Sequence, residues 1–577
     1  MTKIKTTISM VQQHKYLWIL LLLCTVMYLP TINYPFIWDD QELIAQNAFL
    51  ENFNNITNVF STGYLDAISD NNRNYPWYRP ISTAFLLVEH RLFGNQSTGY
   101  HIVHNAIHLV CVLMLFRLLC SIFKQSPLWQ FSQTNAFFST LIFTTTPFSV
   151  DAVLFLSNIG DLLVLFWTLL AIRLIHNAKA QQHRGKRFIK QSGIFIISLA
   201  AMLSKESGIA LPIVVAVMEW RLSANKSAKQ SAITFGSGII AAAVYGTMRY
   251  HVLSAVADPS ISQLLLTFPG HVLFAMRWSL YPHPLAQMEP VPAIAPAIGW
   301  GVLLACVAAI IMWQRRSKFD PTGAVLWLAM ISPALAGVDE LRIFSPRYLY
   351  VPFLGISFLL VQFHSRLRPL VQNLLFIVPL ILLLFSLIRI HAWQSPMTFW
   401  ALEYERHPDN PLTLVHFADQ LSDKGKSDQS RLLLFKAADI ARKNKLKKIE
   451  SLALRQIGKY YQTQNDVPRA LQLYHMSVKV MPTSTVWLRI GDIHAINRKH
   501  FHDALLAYKQ AELLFPNRFE VLLALSDAYA GLKMFDKSLI YIKKARQLYG
   551  SAPTKRKEIE KQLQRISTYK RQLSSPK

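Results

Sequence analysis

Cysteine and charged side chains are both scarce in this chain of 577 residues. The four cysteines all lie in apolar stretches, so the sequence favours neither a disulfide framework nor a zinc cluster. Charged residues make up only 16% of the chain, whereas 52% of the residues are hydrophobic and the mean hydropathy is +0.24. This composition is typical of a membrane protein that also carries a soluble part.

Acidic residues are fewer than basic ones, and the excess of positive charge is uneven. The chain has 33 Asp and Glu against 60 Lys and Arg, a net charge of +27. Residues 401–577 alone hold 32 basic and 17 acidic side chains, a net charge of +15. Such a basic segment suits nucleic acid, anionic lipid or simple solubility. No module interleaves aromatic and basic residues, so we predict contact with membrane lipids and no nucleic-acid partner.

Long apolar runs recur through the first two thirds of the chain. The first, Tyr16 to Pro30, follows several lysines and precedes no small-residue cleavage site, so we predict an uncleaved membrane helix. In total we predict about 11 spans, with 12 as the alternative, and an interfacial or re-entrant segment at 268–282. The other apolar runs are 100–122, 134–150, 153–175, 193–203, 207–220, 231–248, 295–313, 323–337, 347–363 and 371–390.

Basic loops between these runs predict the orientation in the membrane. Lysine and arginine cluster at 173–190, 221–229, 315–318 and 366–368, and loops of this kind face the cytoplasm. Alternation then places the long polar loop 31–98 on the opposite face. The same counting puts everything after the last run on that face too. We predict a multi-pass membrane protein and favour a bacterial inner membrane because no retrieval signal ends the chain; an endoplasmic reticulum membrane is the alternative.

A period of about 34 residues begins after the last apolar run. Small residues at Gly458, Gly491 and Ser526 recur with large residues three positions later, and prolines close the first two units. This spacing resembles the tetratricopeptide repeat, whose helical hairpins stack into a solenoid. We predict an all-α protein with a membrane domain at 1–392, including the outer loop 31–98, and a repeat domain at 393–577.

Two adjacent carboxylates, Asp39 and Asp40, lie where the first predicted span emerges into water. They are costly to hold together beside a bilayer, so they are either a solvated loop or a catalytic pair. On the same predicted face lie Arg79, Lys205-Glu206 and Arg347. Each has a structural alternative, such as a self-neutralising pair at Lys205-Glu206 or a snorkelling arginine at Arg347. Their convergence favours a site where a lipid phosphate meets a hydroxyl acceptor.

Three histidines, His101, His104 and His108, share one side of a predicted helix. Their spacing permits a metal, but no carboxylate motif accompanies them. We therefore favour core or interfacial histidines.

The ordered set of motifs resembles the multi-span glycosyltransferases of the GT-C fold, which use polyprenyl-phosphate sugars. It is most similar to the transmembrane-and-tetratricopeptide-repeat O-mannosyltransferase-like proteins. The residues that carry the resemblance are Trp38-Asp39-Asp40, Tyr78-Arg79-Pro80, His101 with His108, Gly160-Asp161, Lys205-Glu206, Arg347-Tyr348, and the repeats that follow them.

The resemblance implies a membrane glycosyltransferase that moves a sugar from a polyprenyl-phosphate donor to a protein or glycan hydroxyl. Asp39 is then expected to act as general base, with Asp40 assisting it or binding a divalent metal; no other cofactor is expected. The other expected substrate-binding residues are Tyr78, Arg79, His101, Asp161, Lys205, Glu206, Arg347 and Tyr348. The alternative is a non-catalytic membrane scaffold whose repeats recruit partners.

Overall fold

The chain, described here from a computed structural model, divides into two compact units. The first comprises Met1–Gln41, Thr57–Tyr64 and Pro76–Ser395, and the second includes Glu42–Ile56 and Pro396–Lys577. The structure describes residues 2–64, 77–124, 133–178, 184–223, 227–253, 261–282, 286–292, 294–317, 319–336, 343–497 and 500–574. Parts of three predicted basic loops, at 179–183, 224–226 and 318, lie outside these residues. The predicted domain limits, 1–392 and 393–577, stay a prediction.

Helices dominate the chain up to residue 392. They are α1 (Thr2–Tyr28), α2 (Ala48–Glu51), α3 (Pro80–Phe93), α4 (Ser97–Phe123), α5 (Gln133–Thr145), α6 (Pro147–Leu154), α7 (Gly160–Asn177), α8 (Arg184–Ser204), α9 (Leu211–Leu222), α10 (Ala228–Val252), α11 (Ile261–Leu280), α12 (Pro296–Ser317), α13 (Thr322–Ala336), α14 (Phe353–Ser365), α15 (Pro369–Leu374) and α16 (Ile377–Ala392). One short antiparallel pair joins β1 (Glu289–Pro290) to β2 (Ile343–Phe344), with Glu289 opposite Phe344.

Seven stretches of helix among the described residues are long and apolar enough to cross a membrane, or eight if the bent pair α5–α6 counts as one span. The described residues therefore hold fewer candidate spans than the predicted total of about 11. The apolar runs near 207–220, 323–337 and 347–363 form helices of only 12, 15 and 13 residues, too short to span. The run at 193–203 extends back through polar residues into a 21-residue helix, α8. The seven candidate spans are Gln12–Asn33, Ser97–Phe123, Leu156–Asn177, Gly185–Ser204, Ala228–Val252, Pro296–Arg316 and Pro369–Ala392.

Two breaks between helices carry polar residues that the sequence flagged. The axes of α5 and α6 differ by 57°, and Pro147 opens α6 because it lacks the N–H that a continuing helix needs. After α6 the chain forms a 3₁₀ turn, Leu156–Asn158, before α7 begins at Gly160. A second break separates α8 from α9 at Lys205–Ala210. Both breaks supply residues that the sequence flagged.

Paired helices form the second unit, as the repeat period predicts. They are α17 (Pro396–Arg406), α18 (Pro411–Asp423), α19 (Ser427–Lys443), α20 (Lys447–Thr463), α21 (Val467–Val480), α22 (Ser484–Asp492), α23 (Phe501–Leu514), α24 (Phe519–Gly531), α25 (Phe535–Tyr549) and α26 (Pro553–Ser574). In the middle repeats a glycine of the first helix faces a tyrosine of the second. A Cβ on Gly458 would lie 2.7 Å from the Tyr474 ring, and one on Gly491 would lie 2.3 Å from the Tyr508 ring.

The outer loop also contributes to the second unit. Glu51, at the end of α2, accepts a hydrogen bond from the Thr554 hydroxyl at 2.6 Å, and the Asn52 amide donates to the Ser551 hydroxyl at 2.9 Å. Residues 42–56 therefore pack at the start of α26, although they stand about 500 positions away in the sequence.

The contact between Gly491 and Tyr508 generates a stability prediction. Gly491→Ala should lower the free energy of unfolding by about 1–3 kcal/mol, because the new methyl group overlaps a ring that is itself buried. Thermal unfolding of the purified full chain in detergent measures the change. In a Tyr508→Leu background, which empties the overlapped space, the same substitution should cost clearly less. Equal losses in the two backgrounds would contradict this packing.

Candidate functional site

Most of the residues that the sequence singled out converge on one turn of chain, residues 155–161, between α6 and α7. The turn lies against the break between α8 and α9. A Cβ on Gly160 would lie 2.8 Å from the Ser204 carbonyl oxygen and 3.1 Å from the Lys205 Cβ. Only glycine allows this approach without a shift of the backbone. The turn thereby brings polar groups of two helix breaks into contact.

The two adjacent carboxylates occupy different environments. Asp40 is buried, with 1% of its surface exposed, and accepts backbone N–H groups of Ser157 at 2.7 Å and Leu156 at 3.4 Å. Burial raises the pKa of Asp40 to about 6, although these hydrogen bonds oppose the rise. Asp39 is only half-buried. Asp40 is therefore bound to the turn, whereas Asp39 is more exposed.

The backbone just before the pair is strained. Trp38 has a φ of +57°, a conformation that bulky side chains rarely adopt. Its ring stacks on Phe155 with centroids 5.4 Å apart and an interplanar angle of 4°. Strain of this kind costs on the order of 1–3 kcal/mol and is most frequent at functional sites. This strained residue immediately precedes the Asp39–Asp40 pair.

Arg79 forms a two-pronged ion pair with Glu206. Its Nη2 lies 2.8 Å from Glu206 Oε2, and its Nε lies 3.1 Å from Oε1. The guanidinium also lies over the rings of Tyr64 and Trp77, at 5.1 and 4.9 Å from their centroids. Burial raises the pKa of Tyr64; Arg79 opposes the rise, and Asp40, Asp39 and Glu206 add to it. Tyr64 is thus close enough to feel both the carboxylate pair and the Arg79–Glu206 pair.

Lys205 is paired with Asp161. Its Nζ lies 2.7 Å from Asp161 Oδ1 and 3.1 Å from the Asn158 amide oxygen. The Asn158 amide in turn donates to the other oxygen of Asp161. Burial lowers the pKa of Lys205, Asp161 opposes this, and the nearby positive charges of Arg79 and Arg347 add to the lowering. The three cations therefore gather in one place.

Arg347 differs from the other two cations because it has no carboxylate partner among the described residues. Its guanidinium lies 4.3 Å from the centroid of the Phe155 ring, on the same side chain that stacks with Trp38. Its Nε is buried and has no hydrogen-bond partner in the described part of the chain. The adjacent Tyr348 ring lies 5.8 Å from both the Lys205 ammonium and the Arg347 guanidinium. Of the three cations, Arg347 is therefore the one whose charge no carboxylate of the described residues balances.

Two of the predicted substrate-binding residues contact other parts of the protein. The Tyr78 hydroxyl donates to the Phe60 carbonyl oxygen at 2.8 Å, and its ring packs against Tyr245 in an apolar cluster. His101 is buried, and its Nε2 lies 3.1 Å from the Tyr34 carbonyl oxygen. Neither side chain contacts the charged cluster in the described structure. Their assignment to substrate stays a prediction that the geometry does not favour.

The other two histidines of α4 are buried as well. His108 Nδ1 lies 2.9 Å from the Tyr350 hydroxyl. His104 Nε2 lies 3.6 Å from a carboxylate oxygen of Glu89 on α3, a partner that the sequence did not indicate. Each histidine has a separate partner, as packing residues do.

Sequence reasoning did not select Tyr64, Phe155, Ser157 or Asn158 as site residues. Tyr64 joins the outer loop to the turn by donating its hydroxyl to the Ser157 carbonyl oxygen. A polar Ser-Asn step before Gly160-Asp161, within an otherwise apolar run, was the available signal for the turn. Nothing in the sequence marks Phe155, which works by its position between Trp38 and Arg347.

The residues around Asp40 do not offer a three-ligand metal set. The one group of three His, Cys, Asp or Glu side chains with ligand atoms within 4.8 Å of one another in the described residues is His494, His500 and Asp503, in the repeats. Both oxygens of Asp40 already accept backbone N–H groups.

Three curated proteins align with about a third of the chain, and all are protein O-mannosyl-transferases by name. F38B6.6 of Caenorhabditis elegans is 25% identical over 201 residues, which are 34% of this chain and 27% of that protein. TMTC2 of Homo sapiens is 24% identical over 194 residues, 33% of this chain and 22% of that protein, and TMTC2 of Mus musculus is 23% identical over the same extent. The chain thus resembles this family at low identity and aligns with about a quarter of its relatives' length.

The other comparisons add little. No family model matches the chain. A solved structure titled "Crystal structure of MamA protein" is 16% identical, covers 26% of this chain and 79% of that one, and superposes with a TM-score of 0.22. A TM-score this low carries no argument.

The buried Asp40 generates a pH prediction. Its pKa is about 6 in the folded protein and 3.8 when exposed, so the folded state holds the proton more tightly between these values. Wild-type stability should therefore fall by about 3 kcal/mol as pH rises from about 4 to about 6, and then stay level. Asp40→Asn, which does not titrate, should lack this fall. Thermal-unfolding curves of both proteins from pH 4 to 8 measure the difference in their stability. A difference that does not change with pH would contradict the prediction.

Proposed function

We propose that this chain is a membrane glycosyltransferase that moves a sugar from a polyprenyl-phosphate donor to a hydroxyl group of a protein. The observation that carries the proposal is the guanidinium of Arg347, which has no carboxylate partner among the described residues and lies beside two neutralised cations and a carboxylate pair. The name of the three relatives supports a mannosyl donor and a protein acceptor. The seven candidate spans support a donor that is reached from the bilayer.

The charges around the turn suit a departing phosphate. Glu206 and Asp161 balance Arg79 and Lys205, which leaves the charge of Arg347 for an anion. Its buried Nε can donate a hydrogen bond at no cost to an existing one. Preorganised donors and cations of this kind stabilise charge that develops in a transition state. We therefore assign the principal phosphate contact to Arg347, with Lys205 nearby and Tyr348 beside both.

The carboxylate pair suits the acceptor. Asp39 removes the proton of the acceptor hydroxyl while that oxygen attacks the anomeric carbon. The new carbon–oxygen bond forms as the bond to the phosphate oxygen breaks, and the phosphate leaves with the bonding electrons. This single displacement inverts the anomeric centre. Asp40 serves by fixing the backbone of the pair to the turn at Leu156 and Ser157. No further base is needed, since the proton stays on Asp39 until water takes it.

The repeats share the non-cytoplasmic face with this site in our proposal, with the groove holding an acceptor polypeptide. The predicted 11 spans no longer support that face, and counts of seven and eight give opposite answers. The support comes instead from the loop segment 42–56, which packs within the repeat unit through Glu51 and Asn52. A segment of a loop and the unit that it packs in lie in one compartment. A groove there raises the effective concentration of a bound acceptor.

Replacement of the proposed base generates the first activity prediction. Asp39→Asn should lower transfer by roughly 10²–10⁴-fold, because the amide cannot take the acceptor proton. The measurement is transfer of labelled mannose from a polyprenyl-phosphate donor to acceptor polypeptide by the purified protein. Asp439→Asn, at an exposed carboxylate of α19, is the matched control and should keep full activity.

Two results would count against the base. Full activity of a folded Asp39→Asn protein would overturn its assignment. If instead only disruption of the repeats changed the behaviour of cells, and the purified wild type transferred no sugar, the scaffold alternative would replace the enzyme.

The shared face generates a topology prediction. Lys557→Cys, at an exposed position of α26, should react with an impermeant thiol reagent added to intact cells. Arg368→Cys, at an exposed position of the predicted cytoplasmic loop 366–368, should react only after the membrane is opened. The background needs Cys306 replaced by serine, because the other three cysteines are buried. The reverse pattern of labelling would place the repeats inside and remove the acceptor-presenting role.

A further inference from the structure

We propose that Gln287 is a positioning residue that holds Arg347 in place through a neutral hydrogen bond and so keeps its charge available to the substrate. The inference rests on the proposed role of Arg347 in binding the donor phosphate. Gln287 lies in the described segment 286–292, which no sequence motif marked. Its side chain is buried, with 1% of its surface exposed.

The Gln287 amide joins three side chains in the orientation that satisfies both of its ends. Its oxygen accepts from Arg347 Nη1 and from the Ser345 hydroxyl, each at 2.9 Å, and its nitrogen donates to Asp151 Oδ2 at 3.3 Å. The two orientations of an amide occupy the same space, so the hydrogen-bond partners decide between them. Only this orientation places the acceptor against the guanidinium.

Asp151 in turn is held from the other side. Its Oδ1 accepts from Arg389 Nε at 2.7 Å and from the Trp393 indole N–H at 2.8 Å. Asp151 is fully buried and Arg389 is 1% exposed, so this ion pair is shielded from water. The carboxylate therefore uses one oxygen to bind Arg389 of α16 and Trp393 just after it, and the other to orient Gln287.

The backbone around Gln287 is anchored as well. The pairing of β1 with β2 sets Glu289 opposite Phe344, which brings residue 287 beside Ser345 and Arg347. The Ala286 N–H donates to the Glu289 carboxylate at 2.9 Å. Gln287 thus stands on a fixed backbone between the buried Asp151 and the site.

The neutrality of the Gln287 amide is what distinguishes this contact from an ion pair. A carboxylate at this position would pair with Arg347, as Glu206 does with Arg79, and would cancel the charge that an anion needs. An apolar side chain would remove the amide acceptor of Nη1 and leave the guanidinium against the Phe155 and Tyr348 rings. A neutral acceptor fixes the direction of the guanidinium without reducing its charge.

The test compares two substitutions in the full-length protein. Gln287→Leu and Gln287→Glu should each raise the KM for the polyprenyl-phosphate sugar about tenfold or more. Gln362→Leu is the matched control, because it removes an equally buried amide, on α14, that bonds to Asp320 at 3.0–3.1 Å instead of to Arg347. It should lower thermal stability and leave KM unchanged.

A double substitution separates positioning from mere packing. In an Arg347→Ala background, Gln287→Leu should add no further rise in KM, because its effect passes through the missing guanidinium. An unchanged KM for Gln287→Leu in the wild-type background, or the same rise in both backgrounds, would overturn the positioning role. Absence of any transfer by the wild type would instead overturn the proposed function, so the two failures are distinguishable.

Discussion

The acceptance of two backbone N–H groups by the Asp40 carboxylate is the contact on which the proposed site depends. It fastens the start of the outer loop to the turn between α6 and α7. The turn then carries the remaining partners, since Phe155 lies between Trp38 and Arg347, and Asn158 and Asp161 hold Lys205. Backbone N–H groups in a 3₁₀ turn have few intrahelical acceptors. The buried carboxylate supplies acceptors for two of them and at the same time anchors the loop. Together with the hydrogen bond from the Tyr64 hydroxyl to the Ser157 carbonyl oxygen, this contact joins the outer loop to the turn.

Charge balance explains why so many ionisable groups tolerate burial here. Each buried ion needs a partner, because its desolvation costs several kcal/mol. Arg79 with Glu206, Lys205 with Asp161, and Arg389 with Asp151 meet this requirement. Arg347 meets it only in part, through an aromatic face and an amide oxygen. An incompletely balanced cation is retained at a stability cost, and such a cost is understandable where an anionic substrate completes the balance.

Sequence reasoning was strongest where a pattern repeats or where charge interrupts an apolar run. The repeat period gave the paired helices from α18 onward, and Asp40, Arg79, Asp161, Lys205 and Arg347 do lie around one turn. It failed on the span count, because apolar runs near 207–220 and 347–363 fold into short helices that hydropathy alone cannot distinguish from spans. It also could not assign partners. Whether Lys205 pairs with its neighbour Glu206 or with the distant Asp161 depends on the direction of side chains at a helix break, which neither spacing nor composition determines. Tyr78 and His101 stand in motifs yet point into packing, for the same reason.

The loop segment 42–56 can make its contacts with the repeat unit only late in biosynthesis. Its partners Ser551 and Thr554 follow it by 499 and 503 residues. At ribosomal rates of about 5–20 residues per second, the segment waits on the order of 25–100 s before they exist. During that interval the segment lacks these partners and must avoid other contacts. Contacts between residues so far apart are late and slow to form. The segment can therefore make these contacts only late in synthesis, and a ribosome that stops before residue 551 yields a protein whose outer loop lacks both of them.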